Sequence, residues 1–342
     1  MRILMTGHSG FLGSVMAPVL QSSGHEIVGL DCGFFEGCTF GMVPDGIVSL
    51  RKDIRDVAFE DVSGFDAIVH LAALSNDPLG NLRPEWTFEI NHEASVILAR
   101  LAREAGIRRF VYASSCSIYG AAGDEVRTEE ASLDPLTPYA ISKARTEEDI
   151  SRLEDDSFSP VFMRNATAFG VSPRLRVDLV LNNLVGWAYT TGKVRILSDG
   201  TSWRPIVHAQ DISRAFAAVL AAPREAIHDQ KFNVGVNSEN YRVRDLAEIV
   251  QRVVPGCIVE YAGQSGPDPR TYRVDFSKIA RVLPDFKPEW NAHRGAEELY
   301  SSYRQHGLTR EDFEGRKYVR LKQLEHLLAH GLLDDSLRWN SA

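Results

Sequence analysis

Thr6-Gly7-His8-Ser9-Gly10-Phe11-Leu12-Gly13 is the stretch that decides how this chain is read. It follows Arg2–Thr6 (RILMT), an apolar run expected as a buried strand, and it opens a helix expected to continue through Leu20. Glycines here let the backbone turn tightly and come within contact distance of a ligand. The helix N-terminus adds free N–H groups and a partial positive charge, so the arrangement suits the diphosphate of a dinucleotide. Asp31, eighteen residues beyond Gly13, closes a second apolar run, Glu26–Leu30. A carboxylate there accepts hydrogen bonds from an adenosine ribose and repels a 2′-phosphate, which favours NAD over NADP. Asp53 and Ile54 follow a further apolar segment and are placed to bracket the adenine.

Outward from that loop, strands and helices alternate. Ala67–Leu71 (AIVHL) and Phe110–Ala113 (FVYA) read as further strands. Between them Asn91–Ala105 has apolar residues at helical spacing, with Gly106 as its C-terminal stop. This alternation implies an α/β protein, a Rossmann doubly wound parallel sheet covered on both faces. Beyond about residue 170, prolines and glycines break the regularity, which points to a smaller C-terminal substrate-binding lobe. The expected division is a nucleotide-binding domain over 1–170, completed by about 207–235, and a lobe from 171–206 and 236–290. A helical extension over 291–342 follows, in which an apolar stripe through Val319, Leu324, Leu327 and Leu328 reads as a packing face.

Composition sets outer limits. The 342 residues include 38 Lys and Arg against 46 Asp and Glu, a net charge of −8, which argues against a general nucleic-acid or anionic-membrane binder. No apolar run is long enough for a membrane span. The N-terminus lacks the apolar core of a signal peptide, and the four cysteines have no metal-ligand spacing. A soluble cytoplasmic protein without a metal is the expectation.

A second group of residues carries chemistry. Tyr139 and Lys143 lie four apart behind Pro138, which suits a first helical turn, so both face one side of a helix. A phenol is a poor base at neutral pH; a neighbouring ammonium and the positive nicotinamide of NAD⁺ are expected to bring it towards working range. Ser115, in Ser114-Ser115-Cys116-Ser117-Ile118-Tyr119-Gly120, ends the strand before it, where its hydroxyl can hold a substrate oxygen.

Taken in order, TGxxGxxG, the acidic end of strand two, HLAA (His70–Ala73), Asn91, SSCSIYG and YxxxK resemble the extended short-chain dehydrogenase/reductases. Within them the chain is similar to the NAD-dependent nucleotide-sugar epimerases, dehydratases and decarboxylases, over about residues 1–285. The resemblance implies a catalytic set of Ser115, Tyr139 and Lys143, with Ser117 beside it. It implies that Gly7, Ser9, Gly10, Phe11, Leu12, Gly13, Asp31, Asp53, Ile54, Leu71, Ala72 and Ala73 bind NAD together with Tyr139 and Lys143. Asn91 would accompany them, as a structural or proton-relay residue. On the substrate side it implies Asn76, Thr167, Arg176, Asn183, Arg204 and Arg270, and a homodimer. Guanidinium groups such as Arg204 and Arg270 are what an acidic protein needs to grip a UDP-, dTDP- or GDP-linked sugar, because they match phosphate oxygens bidentately.

The shared first step of that branch is oxidation of the sugar at C4. The position two after Ser115 discriminates among the outcomes. The branch's dehydratases hold glutamate there, preceded by aspartate, whereas this chain has Ser117 preceded by Cys116. A serine hydroxyl cannot serve as the base that 4,6-dehydration requires. A 4-epimerase fits best. A UDP-glucuronate decarboxylase, with Arg174 or Arg176 on the carboxylate, a 4-ketosugar reductase and a catalytically dead NAD-binding sensor are the alternatives.

Overall fold

The computed structural model describes residues 1–43, 46–75, 77–121, 125–196, 198–261 and 271–340. Seven parallel strands form the central sheet, in the order Gln230–Val234, Ser159–Asn165, Arg109–Ser115, Ala67–His70, Arg2–Thr6, Glu26–Asp31 and Val48–Arg51. Side chains alternate across it with the two-residue period of a strand. Ile3, Met5, Val69 and Val111 join one apolar cluster, while Leu4, Ile68, Phe110 and Tyr112 join another on the opposite face. Helices Gly13–Ser22 and Ala209–Ala221 cover the first face, and Ala94–Glu104 covers the second. Burial on both faces explains why these strands read as continuous apolar runs.

The strand order reverses between Arg2–Thr6 and Ala67–His70. A doubly wound sheet binds its ligands in the crevice beyond the strand ends at that point. The two strands are tied there by a buried histidine: His70 Nδ1 lies 2.6 Å from Thr6 Oγ1 and Nε2 lies 2.7 Å from Ser95 Oγ. Burial, with the nearby Lys143 charge, pushes the His70 imidazole down to about 3.

Over the crevice sits a smaller lobe of mixed sheets. Thr167–Phe169, Trp203–His208 and Asn240–Arg242 form one, and Lys193–Ile196 pairs with Ile258–Tyr261 in another. Its core gathers Leu181, Leu184, Leu246 and Val250 with Ala296, Leu299 and Tyr303 of the helix Ala292–Gln305.

The C-terminal extension packs on both units. Leu324 and Leu327, on the helix Arg320–Ala329, are buried against the second face of the central sheet, with Leu328 partly buried beside them. Val319, just before this helix, packs on the lobe core instead. Beyond it the chain returns to the sheet edge, where Trp339 Nε1 donates to the Cys32 carbonyl at 2.6 Å and Arg55 Nη1 to the Ser336 carbonyl at 2.7 Å.

The helix expected over Asn91–Ala105 differs at its start. Residues Phe88–Glu93 form one wide π turn before the α-helix Ala94–Glu104. Gly106 follows it at φ +74°, the left-handed stop that glycine allows. Among the described residues no helix is long and apolar enough to cross a membrane.

Candidate active site

A cavity of about 1030 Å³ lies between the strand ends and the lobe. Gly7, Gly10, Phe11, Leu12 and Gly13 line one end of it. Gly7 has φ +70°, and a Cβ on Gly13 would stand 2.5 Å from the Gly7 carbonyl oxygen, so no larger residue fits without moving the loop. Asp31 lies beside the loop with its carboxylate already aimed: it accepts from Ser9 N at 3.2 Å and from Gly33 N at 2.9 Å. Ser9, expected on the cofactor, does not line the cavity; its backbone orients Asp31 instead.

Asp53 and Ile54 line the same end, with Leu71, Ala72 and Ala73 on the facing wall. Asp53 accepts from Arg55 N, Nε and Nη2 at 2.9, 3.0 and 2.7 Å. Burial opposes its ionisation, but the Arg55 hydrogen bonds and charge outweigh it and hold the carboxyl below its ordinary range. Asn91 is buried in the π turn and does not line the cavity. Its side chain accepts from Leu74 N at 2.8 Å and donates to Leu74 O at 3.1 Å and Ser142 Oγ at 3.3 Å, which clamps the loop after His70 to the helix Pro138–Ser151.

That helix starts where Thr137 caps it, accepting from Ala140 N at 3.2 Å, with Pro138 in the first turn. Tyr139 and Lys143 therefore share a face, and both line the cavity beside Ser115 and Ser117. Ser115 Oγ accepts from Ser117 N at 3.1 Å and is the hydrogen-bonding neighbour of the Tyr139 phenol. Lys143 is buried, donates to the Ala113 carbonyl at 2.6 Å, and its Nζ lies 4.5 Å from the Tyr112 ring centre and 5.9 Å from that of Tyr139.

Enclosure pushes the Tyr139 phenol up to about 12, although Ser115 and the Arg176 charge oppose the rise. Burial likewise pushes Lys143 down to about 7, with Glu147 opposing it. In the protein alone desolvation outweighs the Ser115 hydrogen bond and the Arg176 charge.

Behind this pair lies a network that the motifs did not announce. Arg164 and Glu147, with side chains 3% and 2% exposed, pair at 2.7 Å. Glu147 also accepts from Ser114, and Arg164 donates to Tyr119 Oη at 3.0 Å. Glu147 is one helical turn beyond Lys143, and that spacing was the available signal.

The opposite wall is the lobe's. Thr167, Arg176, Asn183 and Arg204 all line the cavity. Arg176 is buried, bound to Asp178 at 2.7 and 3.0 Å and to Ser75 Oγ at 3.0 Å. Asn183 donates to the Val177 carbonyl at 2.9 Å, and the Arg204 guanidinium lies 6.0 Å from the Tyr272 ring centre. Arg174 does not line the cavity; its guanidinium turns to Thr39. Asn76 and Arg270 lie outside the described residues. Phe34, Phe35, Tyr272 and Arg320 are lining residues that the motifs missed. Among the described residues no group of three His, Cys, Asp or Glu is placed to hold a metal ion.

Comparison with known proteins places this geometry in context. A model of the NAD dependent epimerase/dehydratase family matches residues 3–235. An uncharacterized UDP-glucose epimerase of Bacillus subtilis is 26% identical over 303 residues, covering 83% of this chain and 92% of its own. UDP-glucuronic acid decarboxylase 1 of Arabidopsis thaliana is 25% identical over 328 residues, covering 92% of this chain and 72% of its own. Among solved structures, the UDP-glucose 4-epimerase of Thermus thermophilus in complex with NAD matches with a TM-score of 0.74 and 25% identity, over 89% of this chain and 99% of that one.

Proposed function

The chain belongs to the NAD dependent epimerase/dehydratase family, and from that premise we propose that it is a nucleotide-diphosphate-sugar 4-epimerase. Ser117 carries the choice of reaction. It lines the cavity with a hydroxyl that has no hydrogen-bond partner among the described residues, at the position where the resemblance expects a dehydratase to hold glutamate. A hydroxyl does not exchange a proton with carbon at neutral pH, whereas epimerisation at C4 needs no such exchange.

NAD, when bound, supplies a hydride acceptor that returns the hydride in the same turnover. Gly7, Gly10 and Gly13 with the helix N-terminus would hold its diphosphate, and Asp31 its adenosine ribose. Ser115 orients the C4 hydroxyl. Tyr139 takes that hydroxyl's proton as C4 loses its hydride, and gives it back when the hydride returns to the opposite face of the 4-keto sugar. Because the phenol stands at about 12 in the protein alone, a positive charge brought beside it is required for it to act. The lobe arginine Arg204 would grip the sugar's diphosphate.

The test is incubation with UDP-, dTDP- and GDP-sugars, UDP-glucuronate included, followed by chromatography and mass spectrometry. A product of unchanged mass and altered retention supports epimerisation; loss of CO₂ from UDP-glucuronate overturns it. The buried Arg176, whose charge reaches Tyr139, favours decarboxylation as the second reading, since a guanidinium there suits a sugar carboxylate.

A further inference from the structure

Three arginines stand together where the lobe meets the glycine loop, and only one has a carboxylate. Arg174, Arg176 and Arg320 are 7%, 6% and 4% exposed. Asp178 takes Arg176 bidentately, and among the described residues neither Arg174 nor Arg320 has an ion-pair partner. Arg320 Nη2 donates to the Arg174 carbonyl at 3.0 Å, while its Nη1 is enclosed and has no hydrogen-bond partner among the described residues. Arg174 Nε is in the same condition. Burial, together with the like charge of Arg176, pushes Arg320 down to about 10. Unmatched buried charge is costly, and folds that keep it present it to an anion.

The surroundings say which anion. Arg320 lines the cavity with Phe11, Leu12, Phe34 and Phe35, and its guanidinium carbon lies 4.0 Å from the Phe35 ring centre. Phe34 and Phe35 lie three and four residues after Asp31 in the chain, and Gln323, one turn beyond Arg320, donates to the Phe34 carbonyl at 3.3 Å. On the other side the backbone N–H of Arg174 donates to Ser172 Oγ at 3.1 Å, and Ser172 Oγ donates to the Phe11 carbonyl at 2.8 Å. Ser172 Oγ is also 3.0 Å from Ser14 Oγ. Arg320 is thus tied to the first turn of the helix after the glycine loop and to the loop after Asp31. A dinucleotide lying between that helix end and Asp31 carries its diphosphate past this point.

We propose that Arg320, supplied by the C-terminal extension outside the family-matched stretch, is the cation that receives a diphosphate oxygen of the dinucleotide. The proposal rests on the reading of the cavity as an NAD site. It adds a ligand-binding role to a helix whose apolar stripe had suggested packing alone. A guanidinium offers two parallel donors to such an oxygen pair, so one nitrogen can stay on the Arg174 carbonyl while the enclosed Nη1 turns to the ligand.

The experiment is calorimetric titration of wild type, Arg320→Met and Arg320→Lys with NAD, ADP-ribose, adenosine and UDP. Removing a charged hydrogen bond is expected to weaken NAD and ADP-ribose by about tenfold to a hundredfold in Arg320→Met. Adenosine, which has no diphosphate, and UDP, whose diphosphate belongs to the other ligand, are expected to change by less than about twofold. Arg320→Lys is expected to recover part of the loss, because charge returns without the fork. Arg320→Gln serves the same comparison if the methionine variant does not fold. Unchanged NAD and ADP-ribose binding in a folded variant overturns the proposal. So does an equal loss for adenosine, which would mark Arg320 as a support for the Phe35 wall, and so does a loss confined to UDP. If wild type binds neither NAD nor ADP-ribose while UDP still binds, the NAD reading itself falls and this proposal with it.

Discussion

The two walls of the cavity are built in different ways. The sheet-side wall takes its groups from turns that each follow one strand: the glycine loop after Thr6, Asp31, the segment after His70, and Ser115. Each is aimed by contacts a few residues away or by the adjacent strand, as Asp31 is by Ser9 N and Gly33 N. The lobe-side wall gathers Thr167, Arg176, Asn183, Arg204 and Tyr272 from separate elements, and its arginines are held by a carboxylate and a carbonyl within the lobe. On the proposed reading the first wall holds NAD and carries the proton transfer, and the second selects the sugar nucleotide; its assembly depends on the whole fold.

If this division is right, substitutions on the sheet side abolish chemistry for every substrate, and those on the lobe side change substrate binding alone. The largest effect is expected from Tyr139→Phe. Loss of the proton-transferring group should lower turnover by about 10²–10⁴-fold, with NAD affinity by titration near that of wild type. Turnover within a few-fold of wild type would remove Tyr139 from the mechanism and leave the sheet-side wall as a cofactor cradle only.

Next comes the support beneath that wall. Glu147→Gln leaves the Arg164 guanidinium buried without its counter-charge, which costs about 3–5 kcal/mol of folding stability. Urea unfolding of the apo protein reads this directly. A loss below about 1 kcal/mol, the range of an exposed pair, would mean that water reaches the pair in solution. The lobe-side counterpart is smaller. Arg204→Met is expected to raise KM for the nucleotide sugar by about tenfold or more, as loss of a charged hydrogen bond does, while NAD affinity stays constant. A matching fall in NAD affinity would show that the two walls are not independent.

The legibility of the molecule follows the same division. Strand runs, the glycine loop and the Tyr139–Lys143 spacing were readable because each depends on local geometry and a period of two or 3.6 residues. The position of Asn91 was visible in its motif but its π turn was not; the wide turn buries the amide on Leu74 and Ser142. Arg320 and Tyr272 had no motif to announce them, since only tertiary packing brings residues so far along the chain to the cavity. The rise of the Tyr139 phenol in the protein alone was not legible either, because spacing shows which neighbours share a helix face, whereas desolvation depends on everything packed around them.

Lys143 gives the subtlest test, because its catalytic placement opposes stability. Its ordinary value is 10.5, and burial takes it to about 7 in the fold. Between those two values the unfolded chain holds a proton that the folded chain does not, so raising the pH through that window stabilises the fold. Below about 7 both states are protonated and the folded state carries the whole burden of a buried ammonium. Lys143→Met removes the charge. Its apo form is expected to melt above wild type at pH 6.5, by about 1–2 °C for each kcal/mol recovered, while turnover is lost. The difference should shrink steadily as the pH approaches 10, because wild type gains there and the variant has nothing to titrate. A gap that stays constant across this range would place the lysine in solvent contact, and the sheet-side wall would then hold its charge at far less cost than its burial implies.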